Sequence, residues 1–192
     1  METETKPMSA EQSLNLISNI IQQAQGNVRG NSFFFLLWGW VIALANFGMY
    51  YLMEFTTYPY PYIVWLAPIP AGFITMWYAN KLEKQSRTKT HIDNIYNWVW
   101  VSYAMAIFPL WIFGYKINYQ INPLILVFTA MPTFLSGIII RFTPLMIGGV
   151  SFFGFGIICF LVEAPYQYLI GGIAIICGYL VPGYLLKYLK ES

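Results

Sequence analysis

Six uninterrupted apolar stretches constrain this chain more than any other feature: Phe33 to Met53, Tyr60 to Asn80, Tyr96 to Tyr115, Pro123 to Ile140, Thr143 to Val162 and Tyr166 to Leu186. None contains Asp, Glu, Lys, Arg or His, and each is 18 to 21 residues long. A helix needs about 20 mainly apolar residues to cross the hydrocarbon of a bilayer, and only a helix or a closed barrel satisfies its backbone there. The expected fold is an all-α membrane protein of six transmembrane helices, paired by short loops into three antiparallel hairpins. Charged residues make up 9% of the chain, against roughly 25% in soluble domains, too few to cover a water-exposed surface.

Basic residues set the expected orientation. With a cytoplasmic N-terminus, Lys6, Arg29, Lys81, Lys84, Arg87, Lys89, Arg141, Lys187 and Lys190 fall inside and only Lys116 falls outside. This is a strong positive-inside bias, so both termini are expected in the cytoplasm and the protein in the cytoplasmic membrane. Residues 1 to 32 are polar and the first apolar run is of full spanning length, so no cleaved signal is expected. The basic side fits anionic lipid; no basic cluster with interleaved aromatics points to nucleic acid.

The chain divides into a disordered tail (1–8), an amphipathic segment (9–30) and the six-span domain (31–192). Ser9-Ala-Glu-Gln12 matches a capping box, and Leu14, Ile17, Ile21, Ala24 and Val28 follow at spacings of three and four. Gly26 and Gly30 end this expected helix, which is suited to the cytoplasmic interface or to a partner helix. Trp38-Gly-Trp40 and Trp98-Val-Trp100 recur sixty positions apart, each ahead of a span with a mid-helix proline, Pro70 or Pro132, as a weak internal repeat would.

Small residues at fourfold spacing allow close backbone approach in membranes. Ala67, Ala71, Thr75 and Ala79, then Thr129, Thr133 and Gly137, then Gly171, Ala174 and Gly178 predict that the even-numbered spans are the inner helices. The Phe- and Trp-rich first and third spans are assigned to lipid contact. Tyr and Pro crowd the expected outer loops, as in an interfacial aromatic belt.

Proton relays and ion-coupled carriers place ionisable groups at membrane depth, and these spans have none. The polar groups available to line a path are Asn46, Thr75, Ser102, Thr129, Thr133, Ser136 and Ser151, and such a path suits an uncharged solute. His91 is the single histidine, Cys159 and Cys177 sit inside apolar spans, and no phosphate loop, nucleophile elbow or zinc signature is present. No cofactor, metal or catalytic residue is therefore expected. The chain reads as a non-enzymatic scaffold or regulatory subunit that meets lipid or a protein partner through its N-terminal segment and Lys81, Lys84, Arg87 and Lys89. The alternative is a small transporter or channel subunit, monomeric or homo-oligomeric, for an uncharged or lipid-like solute.

Overall fold

A computed structural model describes Ser9, Glu11 and residues 32–85 and 91–191. The amphipathic segment 9–30, apart from Ser9 and Glu11, and the loop residues Arg87 and Lys89 lie outside the described residues. The elements in order are α1 (Ser32–Phe55), a 3-10 turn (Pro61–Leu66), α2 (Pro68–Gln85), α3 (His91–Ile112), a second 3-10 turn (Gly114–Ile117), α4 (Ile121–Ile139) and α5 (Thr143–Phe160). The last rod runs through α6 (Ala164–Ile175), a π turn (Ile176–Leu180) and α7 (Val181–Glu191). There is no strand among the described residues, and six helical stretches are long and apolar enough to cross a membrane.

The helices α4 and α5 form the most extensive contact. Their connection is a Schellman turn: Phe142 N–H donates to Gly137 O at 2.8 Å and Arg141 N–H to Ile138 O at 3.1 Å, with Arg141 left-handed at φ 51°. Three glycines let the two helices touch, since a Cβ on Gly137, Gly149 or Gly156 would fall 2.6–2.7 Å from Met146, Phe134 or Val127. The second seam joins α1 to α6 and the π turn, where Gly171 and Gly172 of α6 receive Asn46 and Phe47 and Gly39 of α1 receives Leu180 of the turn.

The π turn has a local cause. Pro182 has no N–H to give the carbonyl four residues back and its ring would collide with that carbonyl, so one widened turn ahead of it relieves the clash. Gly178 lies in that turn, where the absence of its side chain admits the Phe152 ring and the absence of one on Gly148 lets α5 reach the Gly178 backbone.

Burial corrects the expected division into inner and outer helices. The fourth and sixth spans are inner, as their small-residue ladders predicted, and α1 is inner with them rather than lipid-facing. The second span is peripheral: Ala71 is buried, but Phe73, Met76 and Trp77 are exposed, and α2 packs principally on α1 and its own 3-10 turn. The third span packs principally on α4. Fourfold spacing of small residues permits close packing without compelling it: Ala71 is buried and Thr75 meets Trp38, whereas Ala67 and Ala79 of the same ladder are exposed.

Candidate functional site

The peripheral placement of α2 and α3 leaves a cleft of about 1110 Å³ between them, with α1, α4 and the π turn as its other walls. Helical periodicity builds each wall. On α1, Phe35, Trp38, Ile42 and Asn46 succeed one another at spacings of three and four, and on α3 Asp93, Asn97, Trp100, Ala104, Ile107 and Trp111 do the same. From His91 to Trp111 the wall extends about 30 Å at 1.5 Å per residue, close to the hydrocarbon thickness of a bilayer.

Two hydrogen bonds inside the cleft tie the peripheral helices to the core. Trp38 Nε1 donates to Thr75 Oγ1 at 3.0 Å, linking α1 to α2, and the Tyr103 and Thr129 hydroxyls share a bond of 2.8 Å between α3 and α4. The base is Tyr179 of the π turn, with its hydroxyl 3.3 Å from Thr133 Oγ1 and its ring 4.9 Å from that of Phe152 and 5.8 Å from that of Phe35. Tyr96 lies buried beside Trp100, with the Trp100 indole N–H and the Ser136 hydroxyl close to it.

At the end of the cleft near Trp65, amides from three helices meet. Asn122 Nδ2 donates to Gln167 O at 2.8 Å, and Gln167 Nε2 donates to Gln120 Oε1 at 2.8 Å and Val162 O at 3.1 Å. Asn46, 1% exposed, donates from Nδ2 to Ile42 O at 2.9 Å, while its Oδ1 packs on Gly171 without a hydrogen-bond partner. The other end of the cleft carries His91, Asp93, Asn94 and Asn97.

Of the polar residues singled out in the sequence, the cleft brings together Asn46, Thr75 and Thr129. Thr133 and Ser136 are buried behind its wall, the former donating to Thr129 O at 2.7 Å. Ser102 is exposed and bonds back to Trp98 O and Val99 O at 2.9 Å, and Ser151 bonds back to Gly148 O at 2.7 Å; neither lines the cleft. Lys81 and Lys84 are exposed on α2 outside it, Lys81 with its ammonium 5.6 Å from the Trp77 ring. Sequence reasoning missed Trp38, Trp100 and Tyr103, because aromatic side chains in the first and third spans read as lipid-facing, and with them Asn97, Asn122 and Tyr179. The threefold and fourfold run from Phe35 to Asn46 was the available signal.

Chemically, the walls offer amides, hydroxyls and indoles among aromatic and aliphatic surface. Among the described residues no group of three or more His, Cys, Asp or Glu stands ready to hold a metal ion. Cys159 is buried with its thiol 3.6 Å from Gln167 O, and Cys177 is exposed. Compared with known proteins, the chain matches no protein-family model, no curated protein and no solved structure.

Proposed function

We propose that this chain is a non-enzymatic multi-pass protein of the cytoplasmic membrane that binds an uncharged, lipid-like molecule in the cleft between α2 and α3, as a carrier or as a subunit that presents such a molecule. The observation that carries the reading is the cleft itself: about 1110 Å³, beyond the usual range of roughly 300–1,000 Å³ for small-molecule sites, and about as long as the bilayer core. Its walls are mainly aromatic and aliphatic, with a few amides and hydroxyls and the carboxylate Asp93 at the His91 end, which suits an amphiphile. A space of this size beside lipid does not stay empty, because its walls would forfeit their dispersion contacts.

The six spans form three antiparallel hairpins with both termini cytoplasmic, on the strength of the nine-to-one division of Lys and Arg. In that orientation the His91 end of the cleft opens toward the cytoplasm. A scaffold role through residues 9–30 and the second loop would use segments that are mostly outside the described residues, so the cleft is the better-supported reading.

The test is to purify the full chain and a cleft-filled variant, Ala79→Trp with Ala104→Trp, in the same mild detergent, and to extract and weigh the lipids each retains. The wild type should hold a lipid-like species at near-stoichiometric amount that the variant lacks. Identical lipid complements would refute the proposal, as would loss of a stoichiometric protein partner on deleting residues 9–25 with no lipid dependence.

A further inference from the structure

We propose that the occupant of this cleft carries an uncharged, hydroxylated headgroup and seats it at the His91–Asn97 end of α3, with its chain running toward Ile107. The inference rests on the reading of the cleft as a lipid-like site and adds the class and polarity of the ligand.

The amides and hydroxyls that hold the walls at the other depths are already committed. Trp38 is bonded to Thr75 and Tyr103 to Thr129 midway along the walls. At the far end, Asn46 Nδ2 serves Ile42 O, Asn122 Nδ2 serves Gln167 O, and the one unpaired oxygen there, Asn46 Oδ1, is sealed against Gly171. The middle stretch is lined by Ile42, Ala104 and Ile107, which suit a hydrocarbon chain. Asn94 and Asn97, one turn apart on α3, are exposed, line the cleft and take no part in the bonds that hold its walls. A carboxamide offers two donors and an acceptor, so a pair of them can both give to and take from the vicinal hydroxyls of a glycerol or sugar.

Charge argues against a phosphate at the same place. Asp93, on the same wall and engaged within the protein, places a carboxylate at this mouth, and a phosphate seated beside it would meet like charge.

Native mass spectrometry of the full chain in a polyoxyethylene detergent, which has no sugar headgroup to compete, separates the possibilities. The probes are monooleoylglycerol and the lysophosphatidate with the same acyl chain. Wild type should retain one monooleoylglycerol about tenfold more tightly than the phosphate, a difference of about 1.4 kcal/mol. Asn94→Leu with Asn97→Leu should erase that preference without changing the melting temperature, since both side chains are exposed. Equal or tighter retention of lysophosphatidate, or a preference untouched by the double substitution, overturns the headgroup assignment alone, provided that Ala104→Trp still expels both probes. Retention of both probes by Ala104→Trp overturns the cleft reading itself.

Discussion

The contact between α5 and the π turn makes Gly148→Ala the most exacting test of this packing. A Cβ on Gly148 would lie 2.6 Å from Gly178 O, 3.1 Å from Gly178 Cα and 3.2 Å from its carbonyl carbon. All three neighbours are backbone, so no rotamer change accommodates the methyl group. To reach ordinary contact at 3.4 Å, α5 and the π turn must separate by about 0.8 Å, which also loosens Phe152 where it fills the space over Gly178. Overpacking of this kind costs about 1–3 kcal/mol, and the better helix propensity of Ala returns at most about 1 kcal/mol. The net expectation is a loss of about 1–2 kcal/mol. Gly154→Ala is the matched control, because it lies in the same helix with nothing within 4 Å of the added methyl. Unfolding by sodium dodecyl sulfate in mixed micelles, followed by tryptophan fluorescence, should show an earlier midpoint for Gly148→Ala and an unchanged or later one for Gly154→Ala. If both variants unfold together, the close approach of α5 to the π turn does not contribute as argued.

Removing the indole donor with Trp38→Phe, or its acceptor with Thr75→Val, should each cost about 0.6 kcal/mol, the mean for interhelical bonds in membranes. The double variant should cost little more than either single one; full additivity in the same unfolding assay would show that the two groups are not coupled. Gln167→Leu leaves the Gln120 carboxamide oxygen and the Val162 carbonyl without their donor, so a loss of about 1–3 kcal/mol is expected, and a wild-type midpoint would contradict the amide cluster. For orientation, cysteines at Thr57 and Lys116, both exposed, should react with an impermeant thiol reagent outside intact cells while one at Ser86 does not. Labelling of Ser86 alone reverses the topology.

The six helices were legible from the sequence because spanning length and the exclusion of charge are local requirements that every stretch meets by itself. Helix ends shifted by a few residues, and the turn at Ile140 to Phe142 formed around Arg141, a residue with no composition signal for a left-handed cap. Which helices lie inside was not local. The Ala67–Ala79 ladder and the Gly171–Gly178 ladder look alike in sequence, yet Ala67 and Ala79 of the first are exposed, while the second is filled by Asn46, Phe47 and Phe152, whose side chains take the space its missing atoms leave. The cleft was less legible still, because in a membrane an aromatic residue facing lipid and one facing a cavity satisfy the same apolar rule. Trp40 and Trp38 sit two positions apart: the first is exposed and bonded to Tyr184, the second lines the cleft and holds Thr75. Hydropathy assigns both to the bilayer; only the separation of α2 from α3, set by the packing of α1, α4 and α6 behind them, decides that one of them borders the cleft.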